Sequence, residues 1–229
     1  MTFFYLTMCY NINMITVPQL VGEIVGNSPI LSENFGEGLI NYSSLARKLR
    51  PEIENKLFKK VTVGSIVMAL KRLHLAHSSA GKQLTEVLGK ITDLSMRSNL
   101  AALTFANSPT LYECQSGLLS AAAKTSNSFL TISQGIYETS IFISRNLLPE
   151  AEKIFQNETK KLRAEGLSSI TLILPKEAID TPGIHYSVFK KLFGSGVNVF
   201  DTVTSFTELT IFLRSEDTER AFAVLKKLS

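Results

Sequence analysis

The residues with the clearest binding chemistry lie in the short run 180–184, where a strand pattern gives way to a helical one. Gly183 permits a ligand to approach the backbone closely, and Pro182 rigidifies the turn. The N–H groups that open a helix suit a carboxylate, and the carboxylate of Asp180 can pair with an amino group. The alternative is that Asp180 and Pro182 only cap and shape a turn, and these residues by themselves leave both interpretations open.

The elements around this turn form an ordered set. A helical pattern follows the turn as far as Gly194, and strand-like runs then cover residues 197–202 and 208–213. A last helix is predicted over residues 218–227, where Ala221 and Leu225 belong to its buried face. The order is therefore strand, helix, strand, strand, helix.

An earlier copy of this set of elements lies 70 residues before the one just described. At that shift, residues 100–103 align with 170–173 and residues 137–143 align with 207–213. We call these the first copy, residues 92–165, and the second copy, residues 166–229. The order of elements in each copy is the split β-α-β order of a ferredoxin-like sandwich. The sequence therefore predicts an α+β fold in which two helices cover one face of an antiparallel sheet.

Basic charge is concentrated in one segment. The net charge is only +4, but residues 41–82 carry nine basic residues against two acidic ones, Glu52 and Glu54, whereas residues 93–229 balance fourteen of each. The nine are Arg47, Lys48, Arg50, Lys56, Lys59, Lys60, Lys71, Arg72 and Lys82. This asymmetry indicates that the segment meets a polyanion. The alternative is a helical bundle whose charges are merely solvated.

The same segment has the pattern of three short helices. Asn41 caps the first, Pro51 separates it from the second, and Thr62 caps the third, while an amphipathic helix capped by Thr16 covers residues 17–25. The apolar stripe of the third helix consists of Val63, Ile66, Val67, Leu70 and Leu73. Such a layout is typical of a helix-turn-helix, whose third helix enters the major groove. The residues predicted to contact nucleic acid are Ser44, Arg47, Lys48, Ser65, Met68, Lys71 and Arg72.

Composition limits the class of protein. With 229 residues and 45% apolar content, one or two ordered domains are expected, and no apolar run reaches the about 18–20 residues that cross a bilayer. Residues 1–14 are apolar but lack the basic region of a secretory signal, and we predict that they are an upstream extension, the alternative being a short ordered strand. Cys9 and Cys114 stand far apart without a motif, which favours reduced thiols in a cytoplasmic protein.

The histidines and carboxylates do not form a catalytic pattern. His74 and His77 lack the further ligands that a metal site needs, and His185 has no partnered nucleophile and acid. Glu138 and Glu208 recur at equivalent positions of the repeat, and we interpret them as surface or interface residues. The sequence therefore predicts a protein that is not an enzyme and needs no metal or cofactor.

The repeat resembles the ACT domain family, and most closely the paired ACT units at the regulatory end of aspartate kinases. The resemblance rests on residues 180–184, 196–199, 204–211, 221–225 and, as a leading strand, 91–95. It implies two ferredoxin-like (βαββαβ) ACT units, with the leading strand completing a sheet elsewhere in the pair. Residues 1–90 contain no glycine-rich phosphate cradle with its lysine, so aspartate phosphorylation is not expected.

In that family an amino acid binds where the first strand turns into the first helix, often across an interface with a second unit. The resemblance thus assigns ligand binding to Asp180, Thr181, Pro182, Gly183, Ile184, Val197, Asn198 and Val199, with the last three offered across the interface. In the first copy the turn reads Asn107-Ser108-Pro109-Thr110, so Asn replaces Asp and Thr replaces Gly. We expect the first copy to serve assembly, with Asn127 and Ser128 as its contributing residues.

Residues 41–49 and 66–73 also resemble the N-terminal helical domain that precedes ACT units in some microbial regulators. We therefore expect a small all-α, helix-turn-helix-like domain at residues 15–77, then a linker and connecting helix at residues 78–91. The predicted function is an amino-acid-sensing, DNA-binding transcriptional regulator, cytoplasmic and homodimeric through its ACT units, with no membrane partner. The alternatives are an ACT protein that regulates an enzyme in trans and a structural ACT dimer without a ligand.

Overall fold

The computed structural model describes residues 15–36, 38–91 and 93–228. The chain divides into two compact units, Met1–Gln83 and Leu84–Ser229, which we call the helical unit and the sheet unit. The predicted upstream extension at residues 1–14 lies outside the described residues. Within the described ranges, no helix is both long enough and apolar enough to cross a membrane.

The helical unit is built from α1 Val17–Gly26, α2 Pro29–Gly36, α3 Tyr42–Leu57 and the first part of α4 Val63–Leu88. Predicted caps begin three of them. Thr16 and Gln19 form a capping box, in which the Gln19 N–H donates to Thr16 Oγ1 at 3.4 Å and the Thr16 N–H donates to Gln19 Oε1 at 2.8 Å. Asn41 Oδ1 accepts from the Ser44 N–H at 3.0 Å, and Thr62 caps α4 in the same way. Local sequence therefore sets where these helices start.

The apolar faces of these helices share one core. Its most buried side chains are Leu20, Val21, Val25, Phe35, Ala46, Ile53, Ile66 and Leu70. The predicted stripe of α4 faces this core, with Ile66 and Leu70 buried and Val63, Val67 and Leu73 half-buried against it. Such burial, more than intrinsic propensity, stabilises short helices.

Two sequence predictions about these helices are wrong. Pro51 does not separate two helices, because α3 continues through it from Tyr42 to Leu57. The proline removes one N–H donor, but Leu49 and Ile53 on either side are buried and hold the two turns together. The expected linker after residue 77 is also helical, since α4 extends to Leu88. Its Ser, Ala, Lys and Gln residues cost a helix little, and the single Gly81 costs about 1 kcal/mol.

The sheet unit contains a six-stranded antiparallel sheet in the order β2-β3-β1-β4-β6-β5. Its strands are β1 Leu94–Ala106, β2 Leu130–Gln134, β3 Glu138–Ser144, β4 Lys160–Ile173, β5 Val199–Thr204 and β6 Glu208–Arg214. Its further helices are α5 Leu111–Ala123, α6 Leu148–Ile154, α7 Ile184–Gly194 and α8 Thr218–Leu225. The predicted mixture of helices with an antiparallel sheet is confirmed.

The two central strands are longer than the sequence predicts. Beyond Asn99, β1 pairs with β3, from Leu100 opposite Ser144 to Ala106 opposite Glu138. Residues 94–97, before Asn99, pair with residues 169–172 of β4. Asn99, with φ of 60°, and Gly166, with φ of 69°, interrupt the register between the two halves. Each interruption is a bulge that lets one strand bend and serve both ends of the sheet.

Helices cover one face of the sheet in two separate cores. In the first copy, α5 and α6 pack on alternate residues of β1, among them Leu103 and Phe105. In the second copy, α7 and α8 pack on Ile170 and Leu172 of β4, and Val87 from the end of α4 joins them. Period-two burial along β1 and β4 therefore sets which face meets the helices.

The opposite face is buried by curling of the sheet. The rings of Phe142 on β3 and Phe212 on β6 stack with centroids 3.8 Å apart, although β1 and β4 lie between these strands. Phe129 packs against Phe212 at 6.0 Å, and Phe200 packs against Phe142 at 6.5 Å. The small side chain of Ala102 on the intervening β1 leaves room for this closure. Each copy thus contributes aromatic rings that contact the other copy.

Candidate functional site

A cleft of about 440 Å³ lies where the chain that leaves β4 turns into α7. One wall is the turn itself, residues 181–184, continued by His185. The facing wall is the tip of the β5–β6 hairpin, residues 204–206. The remaining lining residues are Leu174, Ala178 and Ile179, which lead from β4 into the turn. The second copy therefore places a concave site at the start of its first helix.

Gly183 determines the shape of the turn. Its φ is +95°, a conformation that residues with a side chain rarely adopt, and an added Cβ would lie 3.3 Å from Leu84 Cδ2. Gly183 is the N-cap of α7, and no side chain in the described part of the chain caps that helix. The first N–H groups of α7, from Ile184 onward, therefore keep the partial positive charge that attracts a carboxylate.

The walls of the cleft are largely apolar. Pro182, Ile179 and Phe206 contribute apolar surface, and the last two are more than half exposed. The Thr181 hydroxyl donates to the Glu177 carbonyl oxygen at 2.7 Å and so holds the turn. Exposed apolar side chains beside an uncapped helix start suit a small ligand with a carboxylate and an apolar group.

The structure brings together only part of the predicted ligand set. Thr181, Pro182, Gly183 and Ile184 line the cleft. Asp180 is exposed immediately before the turn and does not line the cleft. Val197 is buried in the core, Asn198 is exposed, and Val199 begins β5 at the end opposite Thr204. These three were assigned to an interface with another unit, and that assignment stays a prediction.

The sequence prediction did not include the hairpin tip. Residues 204–206 reach the turn because β6 lies beside β4, and the Leu174 N–H donates to the Thr207 carbonyl oxygen at 2.7 Å just beyond the strand. The only local signal is Phe206, a large apolar residue between two strand patterns. A single exposed apolar side chain is common on protein surfaces, so this signal identifies a binding surface only together with the cleft beside it.

In the first copy, side chains occupy the corresponding place. Asn107 Nδ2 donates to the carbonyl oxygens of Gly135 and Ile136, at 2.8 and 3.2 Å, and Asn107 Oδ1 accepts from the Thr139 hydroxyl at 2.7 Å. These bonds tie the β2–β3 hairpin to the turn. The Asn that replaces Asp in the repeat therefore has a structural partner in its own copy.

A carboxylate from the same copy sits at the start of α5. Glu158 accepts hydrogen bonds from the hydroxyls of Ser108 and Thr110, both at 2.6 Å. These bonds, led by that from Ser108, hold the pKa of Glu158 below its ordinary value. A negative charge near a helix N-terminus is favourable, so the first turn carries its own internal anion.

We expect Glu158→Gln to lower the free energy of unfolding by about 1 kcal/mol at neutral pH, because an amide accepts weaker hydrogen bonds than a carboxylate. A depressed pKa stabilises the fold above the ordinary carboxyl value of about 4.3, and this contribution is lost as the pH falls through the lower folded value. Urea unfolding at pH 7 and pH 3 checks this, with exposed Glu150→Gln as control. A wild-type advantage that persists undiminished at pH 3 contradicts the prediction.

Cys114 does not have the environment of a reactive thiol. Burial is the main cause that raises its pKa, and the nearby charge of Glu158 raises the pKa further. Its Sγ donates to the Ile154 carbonyl oxygen at 3.5 Å. The thiol is therefore held in its protonated, poorly nucleophilic form.

Over the described ranges, no group of three or more His, Cys, Asp and Glu residues is placed to hold a metal ion.

The predicted nucleic-acid residues lie on exposed surface. They are Ser44, Arg47 and Lys48 on α3 and Ser65, Met68, Lys71 and Arg72 on α4. Glu54 fixes the turn between these helices, because its Oε1 accepts from the Val61 N–H at 2.8 Å and from Arg50 Nε at 2.9 Å. These bonds, led by that from Val61, hold the pKa of Glu54 below its ordinary value. One of the two acidic residues in the basic segment therefore serves the fold.

Comparison of the sequence with protein-family models and with curated proteins finds no match. Solved structures do match. The aspartokinase alpha and beta subunits have a TM-score of 0.50 at 15% identity, covering 60% of this chain and 97% of that chain. Aspartate kinase from Clostridium acetobutylicum has a TM-score of 0.51 at 15% identity, covering 61% of this chain and 35% of that chain. The regulatory subunit of aspartate kinase from Thermus thermophilus has a TM-score of 0.48 at 14% identity, covering 60% and 97%.

At these identities the likeness concerns the fold. The likeness to the two structures with the higher TM-scores extends over 60–61% of this chain. The match to the Clostridium enzyme covers about a third of it, and no kinase domain is implied for this chain. The structural neighbours of this protein are therefore regulatory, ACT-type domains of aspartate kinases.

Proposed function

We propose that this protein is a regulatory protein that senses an amino acid or a similar small metabolite and catalyses no reaction. The observation that carries the proposal is the cleft at the start of α7, in a chain with the fold of aspartate kinase regulatory domains. The matched Clostridium enzyme is described as allosteric. A ligand that prefers one arrangement of the units would shift the protein toward it, which is what regulation requires.

The sheet unit is interpreted as two ferredoxin-like ACT units that exchange a strand. The first copy uses β1 beyond Asn99 as its first strand and β4 before Gly166 as its fourth. The second copy uses β4 beyond Gly166 as its first strand and residues 94–97 as its fourth. The neighbour order β2-β3-β1-β4 and its counterpart β1-β4-β6-β5 support this interpretation. Shared strands would make the two units respond together to a ligand.

The ligand is proposed to bind in the second copy. Its carboxylate would lie at the uncapped start of α7, and its side chain would lie against Ile179, Pro182 and Phe206. The assignment of the ammonium group to Asp180 stays a prediction from the sequence, because Asp180 lies next to the cleft and does not line it. The first copy is proposed to be a scaffold, because Glu158 and Asn107 already occupy the polar groups of the corresponding turn.

A panel of amino acids tested by thermal unfolding examines this proposal. At a concentration of about 100 times its Kd, a ligand of the folded state stabilises by about 2.7 kcal/mol. For a protein of this size that corresponds to a rise in Tm of roughly 5–10 °C. One or a few amino acids with apolar side chains should produce it. A flat response across the whole panel would reject amino-acid sensing by the cleft and favour the structural ACT dimer.

The helical unit is proposed to bind DNA through the exposed faces of α3 and α4. Support comes from the exposure of all seven predicted residues and from the basic excess of residues 41–82. The rival proposal is that the unit docks on an enzyme and regulates it in trans.

The sheet edges β2 and β5 are the proposed contacts for a homodimer, because exposed strand edges favour pairing with a second copy.

Replacing Lys71 and Arg72 together by Ala should weaken DNA binding and lower the slope of log K against log salt by about 2, because each phosphate contact contributes about 1. Gel mobility shifts at several salt concentrations measure both quantities. The matched control is Lys176→Ala with Lys191→Ala, which removes the same charge from exposed positions of the sheet unit. If wild type binds no DNA even at low salt, the enzyme-docking proposal replaces this one.

A further inference from the structure

A second groove, of about 250 Å³, lies on the sheet face opposite the helices. Because Ile170 and Leu172 face the helices, Thr171 between them, and Ser169 and Ile173 on either side, turn toward the groove. Arg97 lies opposite Ser169 on β1, and Glu208 on β6 lies farther along the same face. The groove and the cleft at α7 share no lining residue. It is a separate site.

Arg97 supplies an ordered cation at one end of the groove. Its Nη1 donates to the Asn127 carbonyl oxygen at 3.2 Å, and its guanidinium carbon lies 5.6 Å from the centroid of the Phe129 ring. In the described part of the chain no carboxylate pairs with it. A guanidinium has five N–H donors, so most of them remain for an anion, and a carboxylate fits their geometry in bidentate form.

Glu208 supplies an anion at the other end, and the first copy provides an internal comparison. Glu208 lies opposite Ile173, as Glu138 lies opposite Ala106 in the first copy. Lys161 Nζ lies 3.5 Å from Glu138 Oε2 and forms an ion pair with it at the surface. Glu208 has no such ion pair with any residue that the structure describes. The second copy therefore keeps a negative charge available where the first copy has used it.

The floor of the groove is polar in the second copy, whereas the corresponding place in the first copy is apolar. In the second copy, Arg97 and Ser169 lie opposite each other. The pair at the corresponding place in the first copy is Ala164 and Ala102. Ser169 lines the groove, and its hydroxyl can donate a hydrogen bond to a carboxylate bound there. The first copy carries no polar group at either position.

The spacing of the two charges selects the length of the ligand. Arg97 lies opposite Ser169 of β4, and Glu208 lies opposite Ile173 of β4. These two β4 positions are four residues apart, which is about 13 Å along the strand. In the perpendicular direction, β1 and β6 lie on either side of β4 and are about 10 Å apart. Even when both side chains lean inward, their charges stay farther apart than the α-ammonium and α-carboxylate of one amino acid. A ligand with its two charges at opposite ends of a short aliphatic chain reaches both.

We propose that this groove binds an elongated zwitterion, with its carboxylate on Arg97 and the Ser169 hydroxyl and its ammonium group on Glu208. A volume of 250 Å³ suits a ligand of amino-acid size, since it lies just below the about 300–1,000 Å³ of pockets for larger molecules. The site is additional to the cleft at α7, and the two can be tested independently.

The test uses the full chain and 6-aminohexanoate, whose charges stand at opposite ends of five methylene groups. Calorimetric or NMR titration should show saturable binding, at least about tenfold tighter than that of hexanoate, hexylamine or glycine. Arg97→Gln and Glu208→Gln should each weaken it about tenfold or more. Glu138→Gln is the matched control in the first copy and should leave the affinity unchanged.

A charge exchange separates recognition from folding. The double variant Arg97→Glu with Glu208→Arg offers the same two charges in reverse, so a zwitterion can bind in the opposite direction and affinity should return close to that of wild type. Absence of saturable binding to wild type, equal binding of hexanoate, or affinity that ignores both single variants overturns the proposal. Gly183→Val should leave this binding intact, so a flat amino-acid panel with a working groove would reject only the function proposed for the cleft.

Discussion

Phe212→Ala is expected to lower the free energy of unfolding of the sheet unit by about 3–5 kcal/mol, the usual cost of deleting a fully buried phenylalanine side chain. Phe212 is fully buried, stacks on Phe142 and meets the edge of Phe129. Its removal leaves a cavity between the two copies, which the curled strands cannot fill without breaking their register. Urea unfolding followed by far-UV circular dichroism measures the loss.

The matched control is Phe193→Ala, because Phe193 on α7 is 83% exposed and its loss should change the free energy of unfolding by no more than about 0.5 kcal/mol. A double-mutant cycle of Phe142→Ala and Phe212→Ala should give a coupling of about 0.5–1.5 kcal/mol for the stacked pair. Additive single effects, or a loss below about 1 kcal/mol for Phe212→Ala, would mean that the aromatic cluster does not join the copies.

Gly183→Val is expected to abolish the rise in Tm that a stabilising amino acid produces in wild type. Valine at a φ of +95° strains the turn by roughly 1–2 kcal/mol or more, and its Cβ would press on Leu84. The start of α7 must therefore shift, which displaces the N–H groups proposed to hold the carboxylate. Thermal unfolding of the variant with and without the amino acid identified in the panel measures both the strain and the lost response.

Gly196→Val separates strain from the loss of the cleft. Gly196 also has a positive φ, of +65°, but no atom lies within 4 Å of an added Cβ, and the residue does not line the cleft. This variant should be destabilised yet keep the full ligand response. A response that survives in Gly183→Val would place the amino acid outside the cleft at α7, and one that disappears in Gly196→Val would show that strain alone explains the loss.

Local features of this protein could be predicted from its sequence. The caps at Thr16, Asn41 and Thr62 depend on side chains that bond to N–H groups within three residues, so spacing alone reveals them. The turn at Gly183 was predicted for the same reason, since Pro followed by Gly before a helical pattern favours few backbone conformations. The repeat also carried the order of elements in the sheet unit, because two copies of one pattern reinforce each other.

Predictions failed where a distant contact overrides a local preference. Pro51 reads as a helix break, but burial of Leu49 and Ile53 against other helices outweighs the single hydrogen bond that proline removes. The strands at residues 100–103 and 170–173 read as short, but pairing between β1 and β4 extends both past the bulges at Asn99 and Gly166. In each case the deciding partner is many residues away and leaves no mark on the local pattern.

The order of the elements and the turn that begins α7 follow from local patterns in the chain, namely periodicity, caps and the conformational freedom of glycine. Which residues share a site depends on the tertiary structure. It brought residues 204–206 to the turn, left Asp180 outside the cleft, and set Arg97, Ser169 and Glu208 around one groove. Those neighbours come from strand order and register, which are set by packing of the whole sheet and are not encoded in any one stretch of the chain.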